Sequence, residues 1–297
     1  MNKDTVKRIK EATVALGLVD TSGNMISING SGFIVDEKFG VILTAKHVLQ
    51  GMKMSYQFIL KTRKIETYGA VFRAIHSPKE LNLDSAKISK YELIKEVKSG
   101  NNFPLINMDL AAVKLEQKFP DFHALPIKPP SEFNVLDEVA MCGYPGGEHS
   151  LDIQGKRIGV RYSPVFQMGR IGGLLPMDDA EKPYGIQTDI IGVGGSSGSP
   201  LLDPNDGGVI GIAQKVIPAS VEVNVTNYNE INLKGFGDAT IGQTYGITNH
   251  ILYPMVNGIR KHFEDGKDID AKIDVTGLHF NYVNRVTRPL QDKEINE

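Results

Sequence analysis

The sequence predicts an all-β protein made of two strand-rich halves and one closing helix near the C-terminus. Glycine accounts for 31 of the 297 residues, tryptophan is absent, and aromatic residues make up 7 %. This usage favours many tight turns over a helical bundle. Short apolar runs separated by turn residues, at the spacing of hairpins, indicate a barrel or a sandwich. The hydrophobic share of 41 % is sufficient for a sizeable core.

The first half contains short predicted strands that are punctuated by turns. From about 77 to 102 the pattern changes to charged, helix-tolerant sequence, which is interpreted as a surface insertion. Helical periodicity becomes convincing only much later, at 251–263, with Asn249 as a candidate N-cap. The predicted strands of this half are 13–19, 25–28, 32–35 and 40–44.

Prolines separate the two halves. The Pro-bearing stretch near 119–133 cannot pair as a central strand and is interpreted as a linker. The strands predicted after it are 138–143, 157–162, 165–171, 186–191 and 209–213. The predicted organisation is a first domain at 1–120, a linker at 121–134, a second domain with the closing helix at 135–265, and an extension at 266–297.

Charge and cysteine content exclude several classes of function. The chain has 33 Lys and Arg against 35 Asp and Glu, a balance that disfavours nucleic acid and membrane surfaces as partners. The single cysteine, Cys142, can form neither an internal disulfide nor a Cys-rich zinc site. No metal or organic cofactor is expected. No apolar run has the length of a signal peptide or a membrane helix, so a cytoplasmic protein is expected.

Three separated segments carry candidate catalytic residues: 43–48 contains His47, 108–115 contains Asp109, and 194–201 contains Ser197. A serine hydroxyl alone is a weak nucleophile, so acyl transfer needs an imidazole to accept its proton. A carboxylate is then needed to hold the imidazole in the correct tautomer. Glycines around Ser197 would allow a sharp turn that aims backbone N–H groups at a developing oxyanion.

These segments resemble the trypsin-like (chymotrypsin-fold) serine peptidases, and most closely the HtrA/Deg branch. Residues 30–35 and 42–48 are similar to the branch's lead-in to the catalytic histidine. Residues 109–114 resemble its aspartate segment, and Ser197 follows Asp189 at its spacing. Three motifs in the right order make a strong signal where each alone would be weak.

The resemblance implies two six-stranded antiparallel β-barrels with the catalytic residues in the cleft between them, and a C-terminal helix. It makes Ser197 the nucleophile, His47 the general base and Asp109 the residue that orients it. The amides of Gly195 and Ser197 would form the oxyanion hole. Proteins or peptides would be the substrates, and the sequence leaves open whether the chain forms a homo-oligomer.

Three departures from the family pattern carry expectations of their own. Ser196 stands where secreted zymogens have an aspartate, so activation by N-terminal cleavage is not expected. Ser199 stands where glycine is usual, which affects the local turn. HtrA proteins normally continue into a PDZ domain, but the roughly thirty residues after the predicted helix are too few for a domain.

The resemblance also predicts where substrate binds. Ile191, six residues before the nucleophile, would lie at the base of the primary specificity pocket, with Gly192, Ile212 and Ala213 beside it. An apolar floor cannot neutralise a buried Lys or Arg side chain. Cleavage is therefore predicted after small or medium apolar residues, and the segment 217–244 would border this pocket.

Other interpretations remain open beside this one. The chain could be a catalytically silent, trypsin-like module that binds peptides. Ser196 satisfies the Gly-x-Ser-x-Gly pattern of α/β-hydrolases, but that fold needs Asp and His after the serine and alternating strands and helices. Asp189 is interpreted as a structural hydrogen-bonding residue and Cys142 as a core thiol.

Overall fold

A computed structural model describes most of the chain. The described residues are 1–22, 25–64, 66–76, 81–99, 106–115, 118, 121–130, 134–146, 151–153, 156–159, 163–175, 178, 181–216, 219–226, 232–239, 242–267, 274–275 and 278–281. For the strands within 73–108, 151–162, 215–242 and 274–281, the description is of the backbone.

The N-terminal half is a sheet that curls back on itself. Its strands are β1 (Thr13–Asp20), β2 (Met25–Asp36), β3 (Val41–Thr44), β4 (Thr67–His76), β5 (Leu81–Ser99) and β6 (Ile106–Leu115). Antiparallel pairing runs in the order β4, β1, β2, β3, β6, and β5 pairs with both β4 and β6. The six strands therefore form one continuous, curled antiparallel sheet, as the family resemblance implied.

The C-terminal half is a closed antiparallel barrel of six strands. The strands of this half, in chain order, are β7 (Glu138–Gly143), β8 (Leu151–Ile153), β9 (Lys156–Gly159), β10 (Val165–Leu175), β11 (Gly185–Gly192), β12 (Pro200–Leu202), β13 (Val209–Val216), β14 (Ala219–Thr226), β15 (Asn232–Ala239) and β16 (Gly242–Thr248). The barrel order is β10, β11, β16, β13, β12, β7. The pairs β8–β9 and β14–β15 form separate hairpins, and β17 (Asp274–Val275) and β18 (Leu278–Asn281) extend the first sheet along β5.

Three helices are described: α1 (Lys3–Ala12), α2 (Lys46–Arg63) and α3 (Asn249–Glu264). The helix predicted at 251–263 is confirmed by α3, although Thr248 rather than Asn249 is its N-cap residue. The sequence did not predict α1 and α2. Of α1, only Ile9 and Ala12 are buried, and charged residues occupy much of the helix, so few apolar positions were available to predict it. No described helix combines the length and the apolarity needed to cross a membrane.

The interpretation of 77–102 as a helix-tolerant insertion was wrong where the structure describes it. Residues 81–99 form β5, which pairs along its length with β4 and then with β6. Strand preference depends on the pairing that the fold offers, and here two neighbouring strands provide partners for a charged segment with little intrinsic β signal. Residues 77–80 and 100–102 lie outside the described residues.

One buried hydrophobic cluster spans the two halves, and a second one lies within the C-terminal barrel. The first cluster, the shared core, contains Phe33 and Leu110 of the first sheet together with Cys142, Ile212 and several residues of α3. Polar contacts reinforce this packing. Arg260 on α3 donates from Nε to Asp36 Oδ2 at 2.9 Å and from Nη2 to the Val35 carbonyl at 2.6 Å.

The described part of the predicted linker runs from one half to the other. The amide of Leu125 donates to the carbonyl of Ile34 in β2 at 2.9 Å. A few residues later, the amide of Lys128 donates to the carbonyl of Val209 in β13 at 2.9 Å. Backbone hydrogen bonds therefore tie this segment to β2 of the first half and to β13 of the barrel.

Candidate active site

His47 lies at the beginning of α2, directly after β3. Its backbone amide donates to Asp109 Oδ1 at 2.8 Å, and its ring Nδ1 is hydrogen-bonded to Asp109 Oδ2. The first amides of a helix have no partner within the helix, so the carboxylate also caps α2. A carboxylate can only accept, so Nδ1 carries the proton, and in a neutral ring Nε2 is left as the acceptor.

The register of the first sheet explains why Asp109 reaches His47. In the pairing of β3 with β6, Thr44 lies opposite Ala111. Asp109, two residues earlier on β6, therefore lies beside the chain that leaves β3 and enters α2. The His47 side chain is 45 % exposed and that of Asp109 is 28 % exposed, so the pair lies at the surface of the first half.

The 193–199 loop, between β11 and β12, carries Ser197. Two glycines in it have left-handed backbone, Gly195 at φ 92° and Gly198 at φ 87°. A Cβ on Gly198 would lie 1.9 Å from the Ser31 carbonyl oxygen, so only glycine fits there. The amide of Gly198 donates to the carbonyl of Ala213 at 2.7 Å, which ties the loop to β13.

Two backbone donors of this loop are available to a ligand. The carbonyl of Gly194 accepts from the amide of Gly146, and the amide of Ser196 donates to Val193 at 3.0 Å. Among the residues that the structure describes, the amides of Gly195 and Ser197 donate to no protein acceptor. These are the two N–H groups that the sequence analysis named for the oxyanion hole, and that role stays a prediction.

Ser197 lies on the same side of the molecule as His47. Its carbonyl accepts from the amide of Ser31 at 2.8 Å. A Cβ on Gly30 would lie 3.2 Å from that carbonyl oxygen and 2.4 Å from Val48, the residue after His47. No hydrogen bond joins the Ser197 hydroxyl to His47 within the described part of the chain. In substrate-free sites this contact is often long and tightens only in the substrate complex.

The four predicted substrate-binding residues have different environments. Ile191, on β11, is 58 % exposed, so its side chain is open to solvent and not enclosed as a pocket floor. Ile212 is wholly buried in the shared core, so its side chain presents no surface to solvent. Ala213 is also buried, and its amide donates to the carbonyl of Ser199 at 2.8 Å, so it supports the loop. Gly192 is buried beside Ile191.

Two further residues have the structural roles that the sequence predicted. Asp189 Oδ1 accepts from the amide of Arg170 at 2.6 Å and so ties β11 to β10. Cys142 is buried in the core, and burial raises the pKa of its thiol to about 12. Among the described residues, no group of three or more His, Cys, Asp and Glu side chains could hold a metal ion.

Ser31 is a site residue that the sequence alone did not predict. It is buried on β2 and contacts the 193–199 loop through both its amide and its hydroxyl, which donates to the carbonyl of Gly195 at 2.7 Å. The only local signal is its position between Gly30 and Gly32, where close backbone approach is needed.

The residues of this site fall within the range matched by one protein-family model. A family model described as "Trypsin-like peptidase domain" matches residues 30–212, more than half of the chain. The chain belongs to the trypsin-like peptidase family. The matched range begins at the glycine before Ser31 and includes His47, Asp109 and Ser197. No curated protein matches this trypsin-like chain.

Solved structures that this trypsin-like chain is similar to include HtrA-type proteins. The crystal structure of Rv3671c from M. tuberculosis H37Rv, an inactive serine-to-alanine mutant, is 14 % identical, covers 88 % of this chain and 92 % of its own, and has a TM-score of 0.46. Deg5 is 20 % identical, covers 72 % and 87 %, and has a TM-score of 0.42. The HtrA-type protease AlgW with tripeptide is 18 % identical, covers 89 % and 64 %, and has a TM-score of 0.48.

Proposed function

We propose that the chain is a serine endopeptidase that hydrolyses peptide bonds through an acyl-enzyme on Ser197. The observation that carries this proposal is the double contact of Asp109 with the amide and the ring of His47. That contact fixes both the backbone position and the tautomer of the imidazole, which leaves Nε2 ready to accept a proton. A histidine with only a structural role would not need its ring aligned in this way.

The proposed reaction has two stages. Ser197 Oγ attacks the carbonyl carbon of the substrate while His47 Nε2 takes the hydroxyl proton and then gives it to the departing amine. His47 Nε2 then takes a proton from a water molecule that attacks the acyl-enzyme, the bond between the acyl carbon and Ser197 Oγ breaks, and the proton passes to Ser197 Oγ as the acid is released. The amides of Gly195 and Ser197 donate to the oxygen that becomes negative in each stage, and one such donor is worth about 10²–10³ in rate.

The proposed substrates are proteins or peptides cleaved after small or medium apolar residues. Ile191, at the end of β11, is exposed and provides an apolar surface close to the 193–199 loop. Its carbonyl accepts from Gln167 Nε2 at 2.8 Å, which fixes the backbone that carries this side chain. An aliphatic surface favours aliphatic substrate side chains because it removes apolar area from water at about 25 cal/mol per Å².

The proposal is tested by comparing two adjacent serines. Fluorescein-labelled casein is incubated with the wild type, with Ser197→Ala and with Ser196→Ala, and the release of small fragments is measured. Ser197→Ala is expected to lose hydrolysis by at least about 10³-fold. Ser196→Ala is expected to keep most activity, because its buried hydroxyl only accepts a 3.4 Å hydrogen bond from the Val193 amide.

Two results would contradict this proposal. Equal activity of Ser197→Ala and the wild type would show that another group is the nucleophile. A folded wild type that binds casein but neither cleaves it nor reacts with a fluorophosphonate would identify a silent peptide-binding module.

A further inference from the structure

Ser31 makes two hydrogen bonds to the 193–199 loop, although it lies more than 160 residues before it, and two more to Tyr144 and Thr44. Its amide donates to the carbonyl of Ser197 at 2.8 Å, and its hydroxyl donates to the carbonyl of Gly195 at 2.7 Å. The same hydroxyl oxygen accepts from the amide of Tyr144 at 2.8 Å, and the Ser31 carbonyl accepts from Thr44 Oγ1 at 2.7 Å. Ser31 is wholly buried, so water does not compete for these contacts.

The direction of the Ser31 hydroxyl proton is fixed by its neighbours. A serine hydroxyl has one proton to donate and accepts through its lone pairs. Because the amide of Tyr144 points its own proton at Ser31 Oγ, the hydroxyl proton must point elsewhere, and the carbonyl of Gly195 lies at hydrogen-bond distance. Ser31 therefore acts as a directed donor to the loop.

That donor controls the most adaptable residue of the proposed oxyanion hole. Gly195 has left-handed backbone at φ 92°, and a glycine rotates between alternative conformations at little steric cost. Its amide direction depends on the peptide before it, whose Gly194 carbonyl is held by the amide of Gly146. The peptide after it is held by Ser31. Both sides of Gly195 must be fixed for its amide to keep one direction.

We infer that Ser31 is a positioning residue that holds the amides of Gly195 and Ser197 in the geometry that stabilises the transition state. This inference rests on the proposed function and adds a residue to it. Ser31 touches no reacting atom and acts through the loop. Since Thr44 lies on the strand that leads to His47, its bond to the Ser31 carbonyl also links the loop to the strand that carries the proposed base.

The test separates positioning from stability. Ser31→Ala removes the donor and leaves the carbonyl of Gly195 unpaired. We expect kcat on labelled casein to fall by about 10- to 100-fold, with KM within about twofold, because the hole acts on the transition state more than on bound substrate. The affinity for a peptidyl boronate, which mimics the tetrahedral intermediate, should fall by the same factor as kcat/KM.

Thr248→Val provides a matched control. The hydroxyl of Thr248 is also wholly buried and donates to a carbonyl, that of Pro183, at the end of β11 away from the 193–199 loop. The isosteric change removes a buried hydrogen bond of the same kind without altering the loop. Thr248→Val should lower the melting temperature, as Ser31→Ala does. Its kcat and its affinity for the boronate should stay within about twofold of the wild type, because a buried hydrogen bond away from the site contributes to folding alone.

Thr44→Val is a second variant in case Ser31→Ala does not fold. Thr44→Val keeps the Ser31 hydroxyl but removes the hydrogen bond to the Ser31 carbonyl. We expect kcat to fall by about three- to tenfold at an unchanged KM, which is less than the loss expected when an oxyanion-hole donor is removed entirely. An unchanged kcat in the folded Ser31 variant, or in Thr44→Val if that is the one that folds, would overturn the inference while leaving the proposed function in place. A folded wild type without hydrolysis or fluorophosphonate labelling would overturn both.

Discussion

The hydroxyl of Ser199 occupies the space that a side chain on Gly143 would need. A Cβ at Gly143 would lie 1.8 Å from Ser199 Oγ and 3.0 Å from Ser199 Cβ. Ser199 stands where the family usually has glycine, and the structure accommodates it because the facing residue of β7 is itself a glycine. Within the described residues, the buried Ser199 hydroxyl has no hydrogen-bond partner.

This relationship predicts how the two positions respond to substitution. Gly143→Ala should destabilise the fold by about 1–3 kcal/mol, because the added methyl overpacks a closed site. In the double variant with Ser199→Gly, most of that loss should be recovered. Urea unfolding of the wild type, Gly143→Ala, Ser199→Gly and the double variant measures the coupling free energy between the two positions. If the two effects simply add, the two residues do not compete for one space.

Asp109→Asn should reduce activity far more than stability. The remaining amide oxygen can still accept from the His47 amide, so the cap on α2 is retained. Its NH₂ group, however, would face the ring and favour the wrong imidazole tautomer, for which the loss in kcat is about 10⁴-fold in a triad of this kind. Steady-state kinetics and thermal unfolding of the same sample give both quantities. A loss below about tenfold would contradict the role assigned to Asp109.

Ile191→Asp should extend cleavage to positively charged residues. A carboxylate at the exposed Ile191 position would pair with a Lys or Arg side chain of the substrate, which an aliphatic side chain cannot do. We expect kcat/KM for arginine-containing peptides to rise by about tenfold, a gain limited by solvent exposure. A peptide library read by mass spectrometry measures the preference. Ile191→Asn, which adds no charge, is the control, and an unchanged profile in Ile191→Asp would show that the side chain at 191 does not contact the substrate side chain before the cleaved bond.

The ion pair between Lys128 and Asp203 predicts an acid-dependent stability. Burial acts to raise the pKa of Asp203, but hydrogen bonds from Lys128 and the Asn205 amide outweigh it and hold the pKa below its usual value. A carboxyl group whose pKa is lower in the folded than in the unfolded chain stabilises the fold at pH values above the unfolded pKa of about 3.9. This stabilisation is lost as the pH falls through the folded pKa. Asp203→Asn should therefore cost about 1 kcal/mol at pH 7 and less below about pH 4.

Urea unfolding between pH 3 and 7 measures this difference. The hydrogen bond with Asp203 is also the main reason that the pKa of Lys128 is raised, so the pair's contribution is present at neutral pH and is lost again at high pH. Asp206→Asn is the matched control, since Asp206 lies 3.1 Å from the same ammonium but is more exposed. A difference between Asp203→Asn and the wild type that stays constant with pH would contradict the prediction.

Cys142 should be inert in the folded protein. Its thiol is buried, and its pKa of about 12 leaves almost no thiolate at pH 8. Iodoacetamide should therefore modify the unfolded chain in guanidinium chloride but not the native chain, and activity should survive the treatment. Intact-mass spectrometry follows the modification. Rapid alkylation of the native protein would show that the core around Cys142 opens.

The sequence predicted those parts of the fold and site that local patterns encode. His47, Asp109 and Ser197 could be proposed as site residues because each lies in a short motif, and α3 could be predicted because its apolar residues repeat at helical spacing. By contrast, β5 has little strand signal of its own and depends on pairing with its neighbours. Ser31 reaches Gly195 across 164 positions, a contact that no local pattern encodes.

Local sequence patterns also could not predict which apolar side chains are exposed and which are buried. Ile191 and Ile212 look equally apolar in the sequence, yet one is open to solvent and the other is buried in the shared core. Alternation along a strand indicates two faces but does not say which face meets another sheet or helix. The helix α2 was missed because its turns also contain Gly51 and exposed apolar residues, Met54 and Phe58, which blur the amphipathic pattern.

The most direct measurement is the site of covalent labelling by a fluorophosphonate. The native protein is treated with the probe and digested, and the adduct is located by tandem mass spectrometry, with Asp109→Asn treated in parallel. We predict a single adduct on Ser197, formed at least about 10²-fold more slowly in Asp109→Asn. An adduct on Ser196, or equal rates in the two proteins, would contradict a nucleophile that His47 and Asp109 activate.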